Sequence, residues 1–167
     1  TFPTPIPVGG TLQSSRTWTS GNVYHVTSNL TIPYGVALHI EPGTIVKLDP
    51  YLDIEVDGVL IADGTASEQI VFTSSWDDTY GGETGDGNVA WERLHLDVSS
   101  NGSLLDHVLI RNGGRYHSNA NYVNDMVVMN SDSVISNSII EDRHRHYSDG
   151  RYYGVNMSAG ELRDSVI

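Results

Sequence analysis

The 167 residues carry 21 acidic and 9 basic side chains, giving a formal net charge of −12, and they include no cysteine. This charge excludes nucleic acid as a natural partner, because phosphate binding requires a basic surface. The lack of cysteine excludes disulfide bonds and thiolate metal sites. The sequence has no apolar run as long as a membrane span, so we expect no membrane insertion.

The first residues have a different composition from the rest of the chain. Residues 1–21 begin with the proline-rich stretch TFPTPIP and include Trp18. A solenoid of strands needs its first turn covered, since an open sheet edge would recruit other chains. We therefore predict an extended or capping segment over residues 1–21 and one β-domain over residues 22–167.

Apolar and polar residues alternate in short runs between residues 34 and 75. Leu52, Ile54 and Val56, for example, alternate with acids, and this period of two is typical of strands with one buried face. The runs end at dipeptides that favour turns, which are Pro42-Gly43, Asp49-Pro50, Asp57-Gly58 and Asp63-Gly64. Neither helical spacing nor a hairpin dipeptide separates the runs, so the pattern indicates a β-solenoid.

Three motifs in this region carry a resemblance to a known family. LHIEPGTIVKL at residues 38–48, GVLIADGT at residues 58–65 and IVFTS at residues 70–74 resemble the parallel β-helix segments of large secreted and cell-surface microbial proteins. The acidic, glycine-rich stretch at residues 77–87 matches a loop that often follows in that family. The resemblance covers roughly residues 10–114. It implies an all-β, right-handed parallel β-helix and an extracellular or cell-surface location, but not an activity, because adhesins, surface proteins and carbohydrate-active enzymes share such segments.

The second half of the chain contains an internal repeat. SLLDHVLI from residue 103, SVISNSII from residue 133 and GELRDSVI from residue 160 align position by position. The last copy ends at Ile167 with no polar or proline-rich cap after it. We therefore predict an uncapped last rung in a fragment of a longer solenoid, whose C-terminal edge is covered by further rungs or by another chain.

Long polar segments follow the equivalent strand in three successive rungs. They span residues 76–90, 111–125 and 141–153. Insertions at one position of a solenoid stack on one side, about 4.8 Å apart. We therefore expect the three loops to lie on one corner and to form a wall, which is where binding is expected.

The first loop concentrates carboxylates and glycines. Calcium prefers six to eight hard oxygen ligands, and glycine allows backbone carbonyls to turn inward, so this composition suits a calcium site. The candidate ligands are Asp77, Asp78, Glu83 and Asp86. The spacing lacks the bidentate glutamate of an EF-hand, and a solvated acidic loop is the alternative interpretation.

Aromatic, arginine and histidine side chains are the other groups on the wall. A flat ring stacks on the C–H face of a sugar while polar groups bind its hydroxyls. The candidate carbohydrate-binding residues are Trp76, Tyr80, Tyr116, His117, Tyr122, Arg143, His144, His146, Tyr147 and Tyr152. The alternatives are that the rings pack beneath their own loops and that the charged residues form a hydrated loop tip.

No catalytic residue can be assigned from the sequence. The nucleophile motif of α/β-hydrolases and the glycine loops of nucleotide-binding proteins are both absent. We predict an extracellular β-helix module that presents its loop wall to a polysaccharide, or to a neighbouring protein subunit in adhesion or surface assembly. The alternative is a fragment of a β-helix polysaccharide lyase, epimerase or hydrolase.

Overall fold

The computed structural model describes residues 2–114, 125–141 and 154–167, together with the backbone of residues 116–117 and 122–123. All regular secondary structure in these residues is β. The strands in chain order are β1 (Ile6–Thr11), β2 (Arg16–Trp18), β3 (Val23–Ile32), β4 (Ala37–Ile40), β5 (Ile45–Leu48), β6 (Asp53–Val56), β7 (Val59–Asp63), β8 (Ile70–Ser74), β9 (Arg93–Leu96), β10 (Leu104–Asp106), β11 (Val108–Arg111), β12 (Tyr116–His117), β13 (Tyr122–Val123), β14 (Val127–Met129), β15 (Val134–Ser136), β16 (Ile139–Glu141), β17 (Val155–Met157) and β18 (Glu161–Arg163).

The strands form three stacks, which we call faces 1, 2 and 3. Residues 23–26 of β3 pair with β5, whereas residues 30–32 of the same strand pair with β6. The ten-stranded sheet therefore consists of two stacks joined through β3, together with β1, which also pairs with β3. Face 1 contains the first half of β3 with β5, β8, β11 and β16, and face 2 contains the second half of β3 with β6, β9, β14 and β17. Face 3 is the separate sheet of β2, β4, β7, β10, β15 and β18.

Every strand pair within the three faces is parallel, and successive rungs lie in sequence order. The short β12–β13 pair is antiparallel and lies outside them. The predicted all-β parallel β-helix is thus confirmed. The internal repeat is also confirmed, because Leu105 pairs with Ile135 and Ile135 pairs with Leu162.

The core is a narrow column of stacked apolar side chains. Alternate residues of each strand point inward, so the same strand position stacks from rung to rung. On face 1 the buried column includes Val46, Phe72, Ile110 and Ile140, which are in register. Residues with the opposite parity point outward, and these form the polar rows described below.

The long insertions leave the helix at one corner. Residues 75–92 connect β8 to β9, residues 112–126 connect β11 to β14, and residues 142–154 connect β16 to β17. Each insertion therefore begins at the end of a face 1 strand and ends at the start of a face 2 strand, so the ends of all three insertions lie at the corner predicted for them, while the stacking of the loops themselves stays a prediction. We call this corner the loop corner.

The N-terminal residues also pair with the solenoid. Strand β1 runs parallel to β3, and β2 pairs with β4 at the start of face 3. The Trp18 ring stacks on Tyr24 at a centroid distance of 4.6 Å. The domain boundary at residue 22 stays a prediction. No helix in the described part of the chain has the length and apolar character that a membrane span requires.

Candidate functional site

The outward row of face 1 lies beneath the first loop of the loop corner. Lys47 pairs with Thr73, and Arg111 pairs with Glu141, so these four residues form one row across four rungs. Lys47 and Thr73 are fully buried and Arg111 is 5% exposed, although all three point away from the apolar core. The loop of residues 75–92 thus turns an outward row into a second, polar interior.

Asp77 is the centre of this polar interior. Its Oδ2 accepts hydrogen bonds from the Thr73 hydroxyl at 2.7 Å and from the Asn112 amide at 3.0 Å, and Arg111 Nε lies 3.2 Å away. Its Oδ1 accepts the backbone N–H of Thr79 at 3.2 Å. Burial alone would raise the pKa of Asp77, but the hydrogen bonds from Thr73 and Thr79 and the charge of Arg111 outweigh burial and lower it.

Lys47 connects the same row to the backbone of the loop. Its ammonium donates to the Asp77 carbonyl at 3.0 Å and to the Gly82 carbonyl. Burial lowers the pKa of Lys47, while the negative charges of Asp78 and Asp77 act in the opposite direction. The contacts of Lys47, the only lysine in the chain, hold two points of the loop against face 1.

Two predicted carbohydrate-binding rings lie on this anchored loop. Trp76 donates its indole N–H to the Val89 carbonyl at 2.9 Å, and it is half-buried. The guanidinium carbon of Arg111 lies 5.3 Å from the centroid of the half-buried Tyr80 ring. Each ring thus makes a contact within the protein and remains partly exposed. Trp91, by contrast, is fully buried and donates to the Arg111 carbonyl at 2.9 Å.

The four predicted calcium ligands occupy two environments. Asp77 is buried and hydrogen-bonded as described, whereas Asp78, Glu83 and Asp86 are exposed on the loop. The calcium site stays a prediction. For Tyr116, His117 and Tyr122 the side chains lie outside the described part of the chain, as do all atoms of the remaining candidates, Arg143, His144, His146, Tyr147 and Tyr152. Their predicted role in carbohydrate binding is likewise untested.

Face 2 carries a second outward polar row, and no loop among the described residues covers it. Glu55 pairs in register with His95, and Asp97 follows on the same side two residues later. His95 Nδ1 lies 2.6 Å from Glu55 Oε1, and its Nε2 lies 3.1 Å from the Asn130 amide nitrogen. Ligand atoms of Glu55, His95 and Asp97 all lie within 4.8 Å of one another. The side chains are partly exposed, His95 at 16% and Glu55 at 32%, and Asp97 is partly exposed as well.

Burial affects the pKa of two carboxylates on β6, Glu55 and Asp53. Burial raises the pKa of Glu55, and the neighbouring charges of His95 and Arg93 only partly offset it. Burial also raises the pKa of Asp53, whose Oδ1 lies 3.7 Å from Arg93 Nε. The uncovered row therefore holds carboxylates with weaker compensation than Asp77 receives on the covered row.

Neither row was recognised as a site from the sequence. Lys47 stood out only as the basic residue of the EPGTIVK motif, and Arg111 only as one basic residue among several in the second loop. A signal for the face 2 cluster was present, because DIEV at residues 53–56 and RLHL at residues 93–96 alternate in the same way. Aligning those two strands places Glu55 beside His95.

Comparison with known proteins identifies the same architecture. Residues 10–91, just under half of the chain, match the family model described as a pectate-lyase like beta helix domain. This agrees with the resemblance to parallel β-helix repeat segments found in the sequence. No curated protein matches significantly. No solved structure matches significantly either.

Proposed function

We propose that this chain is an extracellular carbohydrate-binding module whose loop corner holds a polysaccharide. The observation that carries the proposal is the departure of three insertions from the same corner in three successive rungs. We expect loops that leave at one corner to line up along the solenoid axis, which suits an extended polymer. The match to a pectate-lyase like domain supports a polysaccharide as the ligand class.

The anchoring of the first loop supports binding to a preformed surface. Lys47 and Asp77 hold the loop to face 1 from beneath, while Trp76 and Tyr80 are partly exposed. A ring whose orientation is fixed before binding loses little conformational entropy when a sugar stacks on it. The exposed acids beside the rings favour neutral or basic sugars, or acidic sugars bridged by a cation.

Affinity electrophoresis through gels containing neutral or acidic polysaccharides tests this proposal. Trp76→Leu and Tyr80→Leu keep apolar volume but remove a flat ring, and each is expected to weaken retention about tenfold, or about 1.4 kcal/mol. Tyr34→Leu is the matched control, since Tyr34 is 82% exposed and lies between β3 and β4, away from the loop corner. Equal retention of all three variants would refute binding at the loop corner.

The second candidate is a fragment of a polysaccharide-degrading enzyme, which is favoured by the family match alone. Arg111, a basic residue at the loop corner, is buried against Asp77 and Glu141, and this argues against a role as a base. Incubation with acidic polysaccharides separates the two functions. A lyase produces ultraviolet-absorbing unsaturated ends and a hydrolase produces new reducing ends, whereas a binding module retains the polymer unchanged.

A further inference from the structure

We propose that Glu55, His95 and Asp97 on face 2 form a binding site for a divalent transition-metal ion such as Zn²⁺. This site is separate from the acidic loop in which the sequence predicts calcium, and it does not depend on polysaccharide binding.

The first argument is the placement of the three side chains on rigid backbone. Glu55 lies on β6 and His95 lies on β9, and the two residues are direct register partners. Asp97 comes immediately after β9 and points to the same side as His95 because side chains alternate along a strand. Three potential ligands are thus fixed by one strand pair.

The second argument is the chemistry of the donor set. One imidazole nitrogen and two carboxylate oxygens lie within 4.8 Å of one another, close enough to converge on one ion after small side-chain rotations. Zinc accepts nitrogen and oxygen ligands in this combination, whereas calcium prefers six to eight oxygens. The carboxylates of Asp53 and Asp57 lie nearby on the same outward row and add negative potential.

The third argument is a second layer of hydrogen bonds that can accommodate either neutral tautomer of His95. As oriented, the Asn130 amide donates toward His95 Nε2, and Ser158 Oγ donates to Asn130 Oδ1 at 2.8 Å. Rotating the Asn130 amide by 180° would let Oδ1 accept a proton on Nε2 while the amide nitrogen donates to Ser158. His95 can therefore bind a metal through Nδ1 with its other nitrogen still hydrogen-bonded, as metal-ligating histidines normally are.

Calorimetric titration of the whole chain with zinc tests the site. Excess calcium is present to occupy carboxylates that bind cations non-specifically. We expect one equivalent to bind, and His95→Gln to weaken binding at least about 100-fold. Asn130→Ala should weaken it about tenfold while leaving all three ligands in place. Replacing zinc by Co²⁺ should produce visible absorption bands, and His95→Gln should abolish them. If His95 had only a structural role, its substitution would leave these bands unchanged.

Two control variants show whether zinc binds at a histidine other than His95. His39→Gln alters an exposed histidine on face 3, and a double His144→Gln and His146→Gln variant removes the pair in the third loop. Both controls should bind zinc as the unaltered chain does. Circular dichroism of each variant establishes that it is folded. Zinc retention no tighter than that of calcium, or retention that His95→Gln leaves unchanged, would overturn the proposal.

Discussion

The outward rows of face 1 and face 2 both contain charged side chains, but their environments differ. On face 1 Lys47, Thr73 and Arg111 are covered by the loop of residues 75–92 and are almost wholly buried. On face 2 Glu55 and His95 occupy the equivalent outward positions and remain partly exposed, at 32% and 16%. Both rows come from the same alternation of strand residues. The difference arises from what lies above each row.

This difference determines what each row can do. Both carboxylate oxygens of Asp77 are engaged within the protein, through three hydrogen bonds and an ion pair with Arg111. Glu55 and His95 bond to each other, and His95 also bonds to Asn130, while part of each side chain still faces solvent. A covered polar row therefore stabilises a loop, whereas an uncovered row is available to ligands.

The largest effect is expected from Asp77→Asn. This change removes the negative charge that pairs with buried Arg111 and also favours the charged form of Lys47, and breaking a buried pair costs about 3 kcal/mol or more. Because the folded-state pKa of Asp77 is lowered, its contribution is present above the ordinary aspartate pKa and is lost as pH falls through the folded value. The difference in the free energy of unfolding between the unaltered chain and Asp77→Asn should thus shrink in acid. Denaturant unfolding at several pH values measures it.

Asp78→Asn is the control for that experiment. Asp78 is the exposed neighbour of Asp77, so its substitution should change the free energy of unfolding by no more than about 0.5 kcal/mol. Equal losses from the two variants would contradict the assignment of Asp77 as the centre of the covered row.

A smaller effect is expected from Thr73→Val. This substitution removes the hydroxyl that donates to Asp77 Oδ2 and accepts from Asn112 Nδ2, at a cost of about 1–2 kcal/mol. The same change at Thr31, which pairs with Glu55 on the uncovered row, should have an effect within about 0.5 kcal/mol. If both threonines tolerated valine equally, covering would not distinguish the two rows.

The fold could be predicted because it depends on local periodicity. Alternation assigns inward positions, and the repeat alignment placed Leu105, Ile135 and Leu162 in the register that the structure contains. The loop corner could be predicted because all three insertions follow the equivalent strand in their rungs. Predicting these features does not require knowing which contacts distant segments of the chain make.

The polar rows depend on contacts between distant segments. In the sequence Asp77 resembles Asp78 and Asp86, and only the return of its loop over Lys47 and Arg111 makes it a buried centre. Glu55 and His95 are separated by the insertion of residues 75–92, which hides their register. Chemistry that spans rungs therefore becomes visible only once the pairing of strands is known.

Calcium tests the outer surface of the loop that covers face 1. If the exposed acids bind calcium, an ion concentration ten times its Kd should stabilise the folded chain by about 1.4 kcal/mol. Thermal unfolding with calcium and then with excess chelator measures this, and the combined Glu83→Gln and Asp86→Asn variant should abolish it. Asp77 is left intact, since its removal would unfold the loop. An unchanged midpoint would identify the acids as a solvated surface.

The smallest effect, and the one of opposite sign, is expected from Glu55→Gln. Burial raises the pKa of Glu55, and the negative charge of Asp57 acts in the same direction. The charges of His95 and Arg93 lower the pKa but do not offset burial, so the ionised form of Glu55 is unfavourable in the folded state. Glutamine keeps an acceptor for His95 and removes the charge. With chelator present, this variant should therefore be more stable near neutral pH by less than about 1 kcal/mol.

The gain from Glu55→Gln should vanish as pH falls below the ordinary glutamate pKa, where both chains are neutral at this position. Glu68→Gln, at an exposed glutamate, is the control and should show no such trend. Neutralising an acid thus destabilises the covered row and stabilises the uncovered one, because only Asp77 has its burial fully compensated. A loss of stability in Glu55→Gln at neutral pH would mean that the pair with His95 outweighs burial, and the two rows would then be alike.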